Sequence, residues 1–246
     1  MRYLTILCFF IVAASCAQNQ KRESLEPSVT ELWEPKPPKV TPGNNGSEAP
    51  SDAIVLFNGK DANEWTIADG SAAKWDVKDG AMTVVKGTGD IKTKKSFGDI
   101  QLHIEWRAPS VIVGDGQGRG NSGIFLQERY ELQVLDSYES QTYANGQAGS
   151  IYKQGIPLAN PTRKPGEWQV YDVIYTAPRF SDNGRVIIPA YITVLLNGVV
   201  IQNHYQITGP TEYKGLPLYI SHGKASIKLQ DHGNPVSYRN IWVREL

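Results

Sequence analysis

Cysteine is almost absent from this chain. Its two cysteines, Cys8 and Cys16, both fall in the first sixteen residues, so everything beyond them can hold no disulfide, no thiol nucleophile and no cysteine-based zinc site. Net charge is absent as well. The 25 Lys and Arg residues balance 25 Asp and Glu, which gives no grounds to expect nucleic acid or an acidic membrane surface as partner. Sustained helical periodicity is missing, apart from one turn's worth near Asp61 to Trp65, and no repeat recurs at a fixed period. The patterns HExxH, CxxC and the EF-hand loop are lacking, and no serine sits in GxSxG. One Gly-rich run, GDGQGRGNSG from Gly114 to Gly123, has no helix to open and reads as a flexible loop rather than a phosphate cradle. Methionine is scarce beside abundant Gly, Tyr and Trp, a balance that suits a β-rich domain with many turns.

The N-terminus is expected to be a targeting segment. An apolar run from Tyr3 to Val12 follows one basic residue, precedes small residues, and is too short to span a bilayer, which is the anatomy of a signal peptide over residues 1–15. Ala13-Ala14-Ser15-Cys16 resembles a bacterial lipobox, with Ala13 in place of the usual Leu, in which the Cys16 thiol is diacylated. Ala17 follows, not the Asp that holds many lipoproteins in the inner membrane. The expectation is an outer-membrane lipoprotein, facing the periplasm or the cell surface and bound to the membrane through lipid on Cys16. Ordinary signal-peptidase cleavage at the same small residues is the alternative, and palmitate labelling separates the two. Residues 16–52 are polar and rich in Pro, Glu, Ser and Asn, a composition that cannot bury enough apolar surface to fold alone, and read as a tether. The folded domain is expected over 53–246, long enough for one sizeable core.

Within that span short β-forming runs alternate with turn residues. IVLF, KWDV, IQLHIEWRA, SGIFLQ, YELQVLD, WQVYDVIYTA, AYITVLLNGVVIQ, LPLYIS, ASIKLQ and YRNIWVRE are each enriched in branched or aromatic residues, with Gly, Asn, Asp or Pro between most of them. Asp79-Gly80 and Asn197-Gly198 are hairpin signals, because these pairs tolerate the positive φ that tight turns require. Ten or so antiparallel strands without helices imply an all-β fold, a two-sheet jelly-roll sandwich.

Strand alternation then sorts the side chains by face. Ile100, Leu102, Ile104 and Trp106 point one way, and Gln101, His103, Glu105 and Arg107 the other. Glu131 and Gln133 oppose Tyr130, Leu132 and Val134, while Lys228, Gln230 and His232 oppose Ile227 and Leu229. Each strand thus has a core side and a side carrying carboxylates, amides and bases. A solvated outer face explains such a pattern, and so does a surface for holding sugars. His232 follows Gln230 and Asp231 where a strand runs into Gly233-Asn234-Pro235, which puts an imidazole at a sheet rim, where it can give or take a proton. Its candidate carboxylate partners are Glu105, Glu131 and Asp136. Arg107 either holds a substrate oxygen or forms a salt bridge across strands with Glu105. Trp65, Trp75, Tyr138, Tyr143 and Tyr152 offer stacking platforms for sugars.

The blocks LFNGKDANEW, KWDVKDGAM, IEWRAP, GNSGIFLQ, YELQVLDS, KPGEWQVYDV, LNGVVIQ and LQDHGNPVSYRNIWVREL occur in this order from about Ile54 to the C-terminus. Together they resemble the bacterial 3-keto-disaccharide hydrolases. The resemblance implies a concanavalin A-like jelly roll, as in glucanases, and action on glycosides whose glucose ring carries a ketone at C3. It implies His232 and Glu131 in proton transfer, with Glu105, Arg107, Asn121, Gln133, Asp136 and Gln230 binding substrate or tuning the pair. It leaves open a divalent metal held by His and carboxylates, the order of base and acid, and a hydrolase or lyase outcome. The expected partner is a carbohydrate substrate, with no nucleic acid, and the sequence assigns no oligomeric state. A sugar-binding module with the same groove and no catalyst is the competing reading, and a purely structural adhesion domain is a third.

Overall fold

The computed structural model describes residues 25–246, so the expected signal peptide and the expected lipidation site, Cys16, lie outside the described residues. The chain divides into a segment ending at Lys39 and a compact unit from Val40 to Leu246. The compact unit therefore takes in residues 40–52, which composition had assigned to the tether. The described part of the first segment holds one 3-10 turn, Pro27–Thr30, and exposes every one of its residues.

Fifteen strands are found among the described residues, all in the second unit. In chain order the first eight are β1 (Ile54–Phe57), β2 (Trp65–Thr66), β3 (Asp76–Lys78), β4 (Ala81–Thr83), β5 (Ile91–Thr93), β6 (Ile100–Arg107), β7 (Ser122–Leu126) and β8 (Tyr130–Val134). There follow β9 (Gln169–Thr176), β10 (Arg179–Phe180), β11 (Val186–Ile188), β12 (Tyr191–Leu196), β13 (Val199–Gln206), β14 (Lys228–Leu229) and β15 (Ser237–Glu245). A large sheet runs in the order β13, β12, β9, β6, β15, β4, β3, with β1 also on β15; a smaller one runs β2, β5, β14, β7, β8; and β10 pairs with β11. Both large strand sets pair antiparallel. This is the all-β sandwich that the alternation implied, and only 3-10 turns accompany it among the described residues.

The two sheets share one core. Ile100, Leu102, Ile104 and Trp106 of β6 and Val173 of β9 pack in the same buried cluster as Ile124 and Leu126 of β7, Leu132 and Val134 of β8, and Leu229 of β14. Three tyrosines of the large sheet also carry polar contacts across this core. Tyr171 donates to the Gln133 carbonyl at 2.8 Å, Tyr175 to Gln127 Oε1 at 2.7 Å, and Tyr238 to Ser122 Oγ at 2.7 Å. Each hydroxyl is thereby satisfied in a place where an unpaired one would cost about 1–3 kcal/mol. All three fix the backbone or turn of β7 and β8, whose far face carries the cavity described below.

Both expected Asx-Gly hairpins form. Asp79 and Gly80 have φ of 50 and 76°, and Asn197 and Gly198 have 52 and 82°. The run LPLYIS joins no sheet. Tyr219 turns inward, its hydroxyl donating to the Ile207 carbonyl at 2.6 Å, while Leu216, Leu218 and Ile220 stay 83, 75 and 73 % exposed. ASIKLQ keeps only Lys228 and Leu229 in a ladder, between β5 and β7.

Candidate active site

On the face of β7 and β8 away from the core, alternation presents Gly123, Phe125, Glu131 and Gln133. Gly123 pairs with Gln133, and Phe125 with Glu131. Gly123 lies beneath the carboxylate: a Cβ there would fall 2.7 Å from Glu131 Oε1 and 2.8 Å from the Phe125 ring. Beside these strands, β14 runs on into Gln230 and His232. The loop holding Gln117, Gly118 and Asn121, the aromatic pair Tyr143 and Tyr152, and Thr211 with Tyr213 close the remaining sides. Together they line a cavity of about 670 Å³, the size of a small-ligand site.

Glu131 forms the buried floor at 5 % exposure. Burial pushes its carboxyl up to about 8; the charge of Lys228 opposes the rise and that of Asp90 adds to it. Lys228 is itself committed elsewhere, its Nζ lying 3.0 Å from Asp90 Oδ2 and 4.1 Å from the centre of the Phe125 ring. The carboxyl therefore titrates close to neutrality and can give or accept a proton.

The segment LQDHGNP divides its labour residue by residue. Leu229 is in the core. Asp231 is a staple: Oδ2 accepts from the Gly87 and Gly89 amides at 2.7 and 3.1 Å, and Oδ1 from Gly233 at 2.9 Å. Asn234 Oδ1 accepts from the Asn121 amide at 3.1 Å and so braces the opposite loop. Gly233 takes φ of 83°, which turns the chain and leaves His232 exposed on the cavity wall. Tight turn chemistry and a free imidazole are therefore one feature.

The structure brings His232, Glu131, Asn121, Gln133 and Gln230 to this one cavity. It does not bring Glu105, Arg107 or Asp136. β6 belongs to the other sheet, so its polar face looks away from that of β8. There Glu105 accepts from Arg239 Nε at 2.6 Å and Asn240 Nδ2 at 2.9 Å, and lies 3.6 Å from His103 Nε2. Arg107 does not pair with Glu105; its guanidinium stacks 4.6 Å from the Trp168 ring centre. Asp136 binds Arg119 Nε at 2.6 Å and borders a separate cavity of about 150 Å³. Trp65 and Trp75 are core residues, donating to the Leu56 and Gly89 carbonyls at 2.9 and 3.1 Å, and Tyr138 lies outside the cavity. Tyr143 and Tyr152 do line it, with hydroxyls 2.5 Å apart. Gln117, Phe125, Thr211 and Tyr213 were missed by sequence reasoning. Phe125 was findable from its alternation with Gly123, while Gln117 sits in the Gly-rich loop and Tyr213 in an aperiodic one.

Among the described residues no three His, Cys, Asp or Glu side chains converge on a point that could hold a metal. The donor set thus does not fit a metal centre built from such ligands.

A family model described as the 3-keto-alpha-glucoside-1,2-lyase-like domain matches residues 52–244. A candidate glycosyl hydrolase of Parabacteroides distasonis, known from a crystal structure, is 56 % identical over 90 % of this chain and 97 % of its own, with a TM-score of 0.86. A second candidate glycosyl hydrolase from the same organism, 22 % identical over 85 % of this chain and all of its own with a TM-score of 0.61, shares the fold. No curated protein matches the chain.

Proposed function

The chain belongs to the family of 3-keto-alpha-glucoside-1,2-lyase-like domains, and from that premise we propose that it cleaves 3-keto-glucosides by proton abstraction at C2 and elimination at C1. The observation that carries this reading is Glu131, a carboxyl buried at the floor of an amide- and tyrosine-lined cavity and raised to about 8. A ketone at C3 acidifies the neighbouring C2 proton, so a carboxylate of raised basicity can remove it. The electron pair left on C2 spreads into the carbonyl as an enediolate. It then returns to form the C1–C2 double bond as the C1–O bond breaks, and the leaving oxygen takes a proton.

Glu131, deep in the cavity, is the proposed base. His232, exposed at the rim where the aglycone departs, is the proposed acid. Gln230, whose side chain has no hydrogen-bond partner among the described residues, and Asn121, whose Nδ2 donates once at 2.6 Å to the Gln117 carbonyl, supply donors to the enediolate oxygen. Addition of water across the C1–C2 bond afterwards gives net hydrolysis; release without it makes the enzyme a lyase.

Substrate deuterated at C2 tests the reading. We expect slower turnover than with the protiated sugar, a first product lighter by one water than 3-keto-glucose, and no cleavage of the unoxidised glucoside. Cleavage of the unoxidised glucoside at a similar rate would sink the proposal. Binding with no product would make this a sugar-binding module.

Gly123→Ala gives a second expected result. The added methyl has no room unless the Glu131 carboxylate or the Phe125 ring moves, and displacements of about 1 Å at a reacting group cost on the order of tenfold to a hundredfold. Steady-state kinetics should show turnover down at least about tenfold with an unchanged circular dichroism spectrum.

A further inference from the structure

Tyr152 stands beside Glu131. An antiparallel bridge pairs Leu132 of β8 with Ile151, and the Tyr152 amide donates to the Glu131 carbonyl at 3.1 Å. Glu131 and Tyr152 are therefore opposite one another across this pairing. Residues so placed project from the same face, and both line the cavity. Tyr152 is 9 % exposed, and burial holds its phenol above the ordinary range, so it keeps its proton at neutral pH. Its hydroxyl lies 2.5 Å from that of Tyr143. The two oxygens carry two protons, and one of these closes the bond between them. Neither oxygen has another partner among the described residues, so the pair has one O–H left to give. Both rings are held in place. Gly146 lies so close against the Tyr143 ring that a Cβ would have no room. Lys153, outside the cavity, sets its Nζ 5.8 and 5.9 Å from the centres of the Tyr143 and Tyr152 rings and donates to the Tyr213 carbonyl at 2.7 Å. Among the described residues no lysine or arginine lines the cavity, so an oxyanion formed there must be met by neutral donors.

We propose that the Tyr152 hydroxyl, with Tyr143 donating to it, is a hydrogen-bond donor that stabilises the C3 oxygen of the substrate as the enediolate forms. This rests on the proposed elimination and deepens it. As Glu131 takes the C2 proton, the C2–H electron pair becomes the second bond between C2 and C3, and the carbonyl pair moves onto O3. C2 and C3 are neighbours in the ring, as Glu131 and Tyr152 are neighbours on the sheet, so one sugar can meet base and donor together. The charge on O3 returns when the C1–O bond breaks, so Tyr152 donates throughout and loses no proton. It joins the amides of Asn121 and Gln230 around that oxygen. A hydroxyl that accepts one hydrogen bond gives a stronger one, which makes Tyr143 a positioning residue acting through Tyr152.

Tyr152→Phe keeps the ring and removes the hydroxyl. With a 3-keto-glucoside it should lower kcat by roughly a hundredfold, as the loss of one oxyanion donor does, while KM changes far less. Tyr143→Phe leaves Tyr152 its proton and removes only the bond that polarises it, so kcat falls by roughly fivefold. Deuterium at C2 and a better leaving group identify the step that is slowed. In both variants the C2 isotope effect should stay at least as large as in the wild type, and exchanging a methyl for a nitrophenyl leaving group should not restore the rate. The same exchange should restore much of the rate lost in His232→Ala, where departure of the aglycone suffers. A Tyr152→Phe enzyme within about twofold of wild-type kcat, or one rescued by nitrophenyl, overturns the proposal. No isotope effect in the wild type, together with cleavage of the unoxidised glucoside, overturns the elimination itself, so the two failures are distinct. Tyr143 is an exposed ring at 41 %, so its variant supplies the test should Tyr152→Phe fold poorly: unchanged kcat there overturns the tyrosine pair.

Discussion

Glu131→Gln lowers turnover of a 3-keto-glucoside by about a thousand-fold, within the range of roughly 10²–10⁴ that a positioned proton-transfer group contributes. The amide fills the same volume, cannot exchange a proton, and leaves the remaining cavity wall intact, so KM should change little by comparison. Stability should move the other way. Burial raises the folded-state carboxyl from the ordinary 4.5 to about 8, so the folded chain holds this proton more tightly than the unfolded one. Stability from this group is complete below pH 4.5 and falls as pH rises through 8. At pH 8.5 the wild-type carries a buried charge that the variant lacks, and Glu131→Gln should melt at the higher temperature, by an amount worth on the order of a few kcal/mol. Turnover assays and melting curves at pH 5 and 8.5 check both signs. A variant that kept more than about a tenth of wild-type turnover would remove Glu131 from the chemistry.

Alternation in the sequence was sufficient to put Glu131 with Gln133, and Gln230 with His232, on shared faces, because period two is a property of any strand. It could not say which sheet a strand joins. Glu105 and Arg107 alternate as cleanly as Glu131, yet β6 is laid down in the large sheet, and their polar face points away from the cavity. Sheet membership follows from long-range pairing, β6 with β9 and β15, which no local pattern encodes. Turn chemistry behaved similarly. The Asx-Gly turns were legible, but the β7–β8 hairpin turns on Gln127 and Glu128 at φ of 51 and 60°, with no glycine to announce it. Gln127 is held there by Tyr175, the Phe97 carbonyl and burial, so tertiary contacts supply what residue preference does not. LPLYIS fails in the opposite sense: β-forming composition without a neighbouring edge to pair with leaves three large side chains in solvent.

The two buried glutamates make the same point about function. Glu105 and Glu131 share residue type, strand setting and low exposure. Burial acts to raise both. Around Glu105 hydrogen bonds from His103, Asn240 and Arg239 outweigh it and hold the carboxyl at about 2. Around Glu131 nothing does, and the carboxyl stands near 8. A carboxylate with a full set of cationic and amide partners is fixed in one state and serves the fold. One left to neutral amides changes state at working pH, and serves proton transfer.

His103→Ala should therefore cost stability and spare the chemistry. His103 is 1 % exposed, 2.7 Å from Asp172 Oδ1 and 3.6 Å from Glu105 Oε1, with its ring stacked on Trp242 at 5.2 Å. Burial alone would lower its pKa, but the hydrogen bonds and charges of Asp172 and Glu105 prevail and raise it to about 9. Truncation leaves two carboxylates without their shared cation and a void under Trp242, a loss of about 3–5 kcal/mol at pH 6, or a melting point lower by roughly 10 °C or more in a chain of this size. The sign against pH follows from the two shifts. A histidine raised from 6.5 to about 9 stabilises fully below pH 6.5, and its contribution is lost as pH rises through 9. Glu105, lowered from 4.5 to about 2, contributes above pH 4.5 and is lost as pH falls through 2. The His103–Glu105 contact belongs to both and counts once. The network is thus complete between about pH 4.5 and 6.5, and its contribution to wild-type stability should decline from pH 6.5 to 9.5 by on the order of 3 kcal/mol, beside the loss that Glu131 brings. His103→Ala should lack the His103 part of that decline, so the gap between the two melting curves narrows by pH 9.5 to what the lost packing on Trp242 costs. Turnover at 25 °C should stay within about twofold, because the network lies on the far side of the core from the cavity. An equal loss of melting temperature at pH 6 and pH 9.5 would mean that the ring stabilises by packing alone, not by its charge.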